Sequence, residues 1–186
     1  MLPGGGELAV LRPRDSESLL DEHAFESDEF LPYWAELWPS GVALAREVAP
    51  RALHGARVVE LGCGLGLPSM AAARAGGRVL ATDWATPALD LLRANAARNG
   101  VSVETERVDW TAPDALVARG PFDLVLAADV LYEQRNLEPL LALLPRLGDA
   151  VWLADPGRPP LEAFLDGARA DGWAVEQRGT VYRLVQ

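Results

Sequence analysis

At 186 residues and a net charge of −10, the chain is long enough for one α/β domain with a well-buried core. Neutralising phosphates takes clustered basic side chains and none stand out here, so nucleic acid is not an expected partner. The single cysteine, Cys63, excludes an internal disulfide. Neither a cationic leader nor a run of roughly 18 apolar residues is seen, so a cytoplasmic protein with no membrane partner is expected.

Taken in chain order, Leu2 to Gly6 reads as a frayed end. The segment from Asp15 to Glu36 carries Asp15, Glu17, Asp21, Glu22, Glu26, Asp28, Glu29 and Glu36 with no basic residue. Such a run is either a solvated face or a rim that attracts a basic substrate. Residues 1–40 are therefore read as an acidic arm and cover, and 41–186 as the folded domain. In the helix that opens this domain, Val42, Ala45, Val48 and Ala49 supply the apolar face.

From Arg57 onward, apolar runs alternate with helical patterns, which predicts βα units and a mostly parallel sheet covered on both faces. Strands are expected at 57–62, 78–82, 102–108, 122–127, 150–154 and 173–177. The helices between them show as stripes: Leu67, Met70 and Ala71; Leu89, Leu92 and Ala96; Leu137, Leu140, Leu141 and Leu144; and Leu161, Phe164, Leu165 and Ala168. Thr86-Pro87 reads as an N-cap followed by proline at the first helical position, and Gly76-Gly77 and Asn99-Gly100 as stops. Arg178-Gly179 is a two-residue turn, and 180–185 returns as an antiparallel strand.

The first strand runs into Glu60-Leu61-Gly62-Cys63-Gly64-Leu65-Gly66. Gly62, Gly64 and Gly66 let the backbone turn sharply and approach a ligand closely, and Glu60 can accept that ligand's hydrogen bonds. A dinucleotide fingerprint needs glycine where Leu67 stands, a phosphate loop needs Lys-Ser/Thr, and a carboxylate in the turn repels a pyrophosphate. A cationic, phosphate-free nucleoside fits better. Ligands of open α/β sheets bind outside the carboxyl ends of the strands. Here those ends carry Asp83-Trp84, Asp109-Trp110 and Asp129 with Tyr132.

These features together resemble the class I, seven-strand, S-adenosylmethionine (SAM) dependent methyltransferases. The resemblance implies a Rossmann-like sheet whose last strand inserts antiparallel, with SAM as cofactor. It makes residues 41–186 the methyltransferase domain. It also implies that Asp83 binds the ribose hydroxyls, that Trp84 and Trp110 pack along the adenine, and that Asp109 reaches its exocyclic amine. Cys63 and Ala128 join Glu60 and the three glycines as cofactor neighbours.

Asp129-Val130-Leu131-Tyr132 resembles the DxxY motif of the lysine methyltransferases, and two further segments narrow the branch: Trp38-Pro39-Ser40-Gly41 and Asp155-Pro156-Gly157-Arg158-Pro159. They are similar to the branch containing the enzyme that modifies the electron-transfer flavoprotein β-subunit. By that resemblance Trp38 contacts SAM, Asp129 orients a lysine amine, and Tyr132 bounds its channel; Arg158 holds its own loop and has no catalytic role. The acceptor is expected to be a protein lysine. A small amine, as in nicotinamide methylation, and a non-catalytic SAM-binding protein are the alternatives. The chain is expected to be a monomer or weak dimer. His23 and His54 lack ligand spacing, so no metal is expected.

Overall fold

The computed structural model describes residues 6–14 and 32–186, so the acidic run from Asp15 to Glu29 and the end at Leu2 to Gly5 lie outside the described residues. The described residues form seven strands: β1 (Arg57–Leu61), β2 (Arg78–Asp83), β3 (Glu104–Arg107), β4 (Leu124–Ala128), β5 (Ala150–Ala154), β6 (Ala174–Arg178) and β7 (Val181–Val185). They lie in the order β3-β2-β1-β4-β5-β7-β6. β7 runs antiparallel between β5 and β6, while the pairings among β1 to β5 are parallel. Strand order reverses between β1 and β4, which opens a crevice at their carboxyl ends.

Among the described residues six α-helices cover the sheet: α1 (Pro39–Val48), α2 (Leu67–Arg74), α3 (Thr86–Arg98), α4 (Asp114–Ala118), α5 (Leu137–Leu147) and α6 (Pro160–Ala170). Alternation along the strands sorts them into two layers. Val59, Leu61, Val125 and Ala127 pack with Leu116 of α4, Leu143 of α5 and Phe164 of α6. Val58, Leu124 and Leu126 face the other way, against Leu44 of α1 and Ala71 of α2. Met70, Ala81, Leu89 and Leu92 extend that second layer to α3. Burying such side chains contributes roughly 1.5–3 kcal/mol each.

Several boundaries differ from the pattern reading. β4 begins at Leu124 because the Phe122 amide donates to the Leu147 carbonyl and the Asp123 carboxylate accepts the Arg57 amide, at 2.7 Å each, outside the ladder. Thr86 is not a cap: Ala85 holds that position, and its amide donates to Asp83 Oδ1 at 2.9 Å, so the strand-end aspartate does the capping. The hairpin turn falls one residue later, at Gly179-Thr180, with Gly179 at φ +61°. The helix α4 has no counterpart in the pattern, because five residues are too few to show a period.

Residues 8–11 form an unexpected strap across α3. Asn99 exchanges two hydrogen bonds with the Ala9 backbone, at 2.9 and 2.8 Å. Asn95, one turn earlier, does the same with Leu11, at 2.6 and 3.1 Å. Leu8 and Val10 pack on the α3 core.

Candidate active site

The β1–α2 turn is shaped by its glycines. Gly62, Gly64 and Gly66 all sit at positive φ, between +48° and +76°. At Gly66, the N-cap of α2, a Cβ would lie 1.9 Å from Leu92 Cδ1. Glu60 ends almost wholly buried beneath this turn, where its Oε2 accepts the Ser69 amide at 2.8 Å and the Ser69 hydroxyl. Burial dominates those bonds and raises its pKa from 4.5 to about 8. Asp83 is buried beside it, Oδ2 accepting the Gly64 amide and Oδ1 that of Ala85, both at 2.9 Å. Burial also raises the Asp83 carboxyl, against the pull of those amides. The Cys63 thiol is pushed up by burial and then by Asp83 and Glu60, which keeps it protonated and unreactive.

A cavity of about 380 Å³ opens over this turn, a size that suits a nucleoside-like ligand. Trp38, Glu60, Gly62, Cys63, Gly64 and Asp83 line it, as do Trp84, Trp110, Ala128, Asp129 and Tyr132. Thus eleven of the thirteen residues singled out in the sequence meet in one place. The other two have different work. Gly66 lies behind the wall, giving α2 its start. Asp109, expected at the adenine, faces solvent and turns back on its own loop: Oδ1 accepts the Thr111 amide at 2.8 Å and the Thr111 hydroxyl at 2.7 Å. Those two bonds lower its pKa and hold it in a local turn.

Asp129 follows β4 and is the one non-glycine residue at positive φ among the described residues, at +60°. That conformation carries about 1–3 kcal/mol of strain, the kind of outlier that accompanies functional sites. The side chain is buried, and Oδ1 is doubly engaged, by the Ser40 hydroxyl at 3.1 Å and by the Arg158 guanidinium. Oδ2 has no hydrogen-bond partner among the described residues. A buried carboxylate oxygen without a donor is costly to maintain, so a ligand's N–H or O–H fits there.

Aromatic side chains flank that position. The Tyr33 ring lies 5.3 Å from Tyr132 and 6.2 Å from Trp38, and Trp38 Nε1 donates to the Tyr33 carbonyl at 2.7 Å. Burial, foremost, keeps the Tyr132 phenol protonated. Ser40 and Tyr33 are site residues that sequence reasoning left without a role, and Arg158, expected only to hold its own loop, also reaches Asp129; Ser40 and Arg158 stood inside the two segments that narrowed the branch. Among the described residues no three His, Cys, Asp or Glu are grouped to hold a metal ion, and no helix is long and apolar enough to cross a membrane.

The buried carboxylates Glu60 and Asp83, neither in a salt bridge among the described residues, suit a cofactor bearing positive charge, hydroxyls and an apolar ring. The sheet order is that of the class I SAM-dependent methyltransferases. Magnesium protoporphyrin IX methyltransferase from Synechocystis, solved with bound SAH, superposes with a TM-score of 0.63 at 19% identity, covering 78% of this chain and 80% of that one. The lysine methyltransferase family model matches residues 28–151, and the chain belongs to that family. The Xenopus laevis electron transfer flavoprotein beta subunit lysine methyltransferase is 35% identical over 68% of this chain and 53% of its own. A mouse histone-arginine methyltransferase, METTL23, is 30% identical over 74% of this chain and 53% of its own. The chain spans about half the length of the curated relatives it matches.

Proposed function

We propose that this protein is a SAM-dependent N-methyltransferase acting on a lysine side chain of a protein. The observation that carries this reading is the buried, donorless Oδ2 of Asp129 beside an aromatic-lined cavity. When bound, SAM supplies a methyl group made electrophilic by its sulfonium. Asp83 would hold the ribose hydroxyls, Trp84 and Trp110 the adenine, and Glu60 the amino-acid end, with Trp38 as part of the cover. Lysine reaches the site mostly as an ammonium of pKa about 10.4, and neutralising it at pH 7 costs roughly 5 kcal/mol. Asp129 Oδ2 would accept an N–H of the neutral amine and so fix the direction of its lone pair. Tyr33, Trp38 and Tyr132 would exclude water, which makes the neutral form easier to reach.

The rim favours a macromolecular acceptor. Tyr33 and Tyr132 are each 40% exposed and Trp84 38%, all bordering the cavity, which gives a folded substrate aromatic surface to cover. Residues 33–38 lie on this rim, which supports the N-terminal segment to about residue 40 as cover and 41–186 as the catalytic domain. The net charge of −10 supports a protein rather than a nucleic acid acceptor, and the one buried, unpaired cysteine is in keeping with a cytoplasmic monomer or weak dimer. The test is to incubate the protein with methyl-labelled SAM and a lysate of the source organism. Label on protein lysine is expected. Label confined to arginine or to small molecules would overturn the lysine reading.

A further inference from the structure

The loop after β5 sends a cation into the site. Asp155 is fully buried, and its Oδ1 accepts the amides of Gly157 at 2.8 Å and Arg158 at 2.7 Å. Its Oδ2 holds the Arg158 guanidinium at 3.3 Å, and the same nitrogen reaches Asp129 Oδ1. The guanidinium also lies 5.8 Å from the Trp38 ring, a cation–π contact. Arg158 is thus fixed by its loop, by a ring and by two carboxylates. Between them the pair and the cation sum to one negative charge.

We propose that Arg158 is the positioning residue for the methyl acceptor: it pins Asp129 by one oxygen, leaves the other for the amine, and offsets the carboxylates that would otherwise hold the acceptor as ammonium. This rests on the reading of the site as an amine methyltransferase. An aspartate alone is a poor choice for presenting a neutral amine, since a nearby anion favours the charged form. With Arg158 in place, Asp129 keeps its hydrogen-bonding capacity while its field is partly cancelled. Without Arg158 the Asp129 carboxylate that lines the cavity would be uncompensated, with the buried Asp155 carboxylate behind it. The other titratable groups lining the cavity are Tyr132 and Glu133 after β4, Tyr33 and Glu36 on the cover, and Glu60, Cys63 and Asp83 across the cavity. Among these, Glu133 already pairs with Arg135 and Glu36 with Arg12. Among the described residues Arg158 is therefore the cation paired with Asp129 and Asp155.

The test compares wild type, Arg158→Gln and Arg158→Lys. Each is given methyl-labelled SAM and a lysate from a strain of the source organism lacking the gene, from pH 6.5 to 9.5. Labelled lysine is counted in all bands except the enzyme's own, because the wild-type chain has no lysine but Arg158→Lys does. For Arg158→Gln the acid limb of the rate profile should move up by about one pH unit, a roughly ten-fold loss at pH 7 that is recovered near pH 9. Arg158→Lys should restore the limb, and SAM affinity by calorimetry should stay within about two-fold in both. An active wild type with Arg158→Gln slowed by the same factor at every pH, or not slowed at all, overturns the inference and leaves the proposed function standing. A wild type that labels no lysine overturns both.

Discussion

Glu60 and Asp83 on one side of the cavity and Asp129 on the other are all buried carboxylates, yet they are held in different ways. Asp83 is gripped by backbone amides of its own strand end and of the glycine turn, and Glu60 by Ser69 one helical turn beyond that turn. Their partners come from a compact unit, β1 to α3. Asp129 is held by side chains from α1 and from the loop after β5, 89 and 29 residues away in sequence. On the proposed reading, the cofactor half is built largely from backbone and its carboxylates have no salt bridge among the described residues, while the acceptor half is built from converging side chains and pairs its carboxylate with Arg158. The first arrangement needs only local backbone geometry, while the second depends on side chains that the fold brings together from distant parts of the sequence.

The largest effect expected on the cofactor half is from Asp83→Ala, which leaves two amides at the turn without an acceptor. SAM affinity by calorimetry should fall about a hundred-fold, some 2–3 kcal/mol. Next is Gly66→Ala, which forces a Cβ onto Leu92 in a left-handed backbone. Urea unfolding should show about 2 kcal/mol of lost stability, while the acceptor half keeps its geometry.

A third effect depends on pH. Because the Glu60 pKa is raised to about 8 in the fold, the native chain binds more protons than the unfolded one between about pH 4.5 and 8. The ligand-free protein therefore loses stability as pH rises through that window. A cationic ligand favours the ionised form, so SAM affinity should rise roughly five-fold from pH 7 to 8, with proton release into buffer below pH 8. Glu60→Gln should flatten that rise; an unaltered slope would place the titrating group elsewhere. The smallest effect is that of Asp109→Asn, which touches only the Thr111 turn and should change SAM affinity less than two-fold. A large loss would return Asp109 to the cofactor.

The contrast also explains what was legible in the sequence. Glu60, the glycines and Asp83 were readable because their spacing along one βα unit is itself the geometry, and parallel strands buried on both faces show as plain apolar runs. Asp129 and Tyr132 were readable as a motif. The clamp on Asp129 was not, since Ser40 and Arg158 become neighbours only when α1 and the β5 loop are brought to the same sheet edge. Asp109 misled because a strand-end aspartate looks the same whether it faces a ligand or closes a turn on a threonine two residues on. The strap at residues 8–11 escaped notice because its partners, Asn95 and Asn99, look like ordinary polar positions near a helix end.

If the two halves of the cavity do separable work, Asp129→Ala shows it directly. Purified wild type and variant are each titrated with SAM in a calorimeter and then given methyl-labelled SAM with lysate. The expected result is SAM affinity within about three-fold of wild type and lysine labelling reduced a hundred-fold or more. Undiminished labelling, or loss of SAM binding together with labelling, would contradict it.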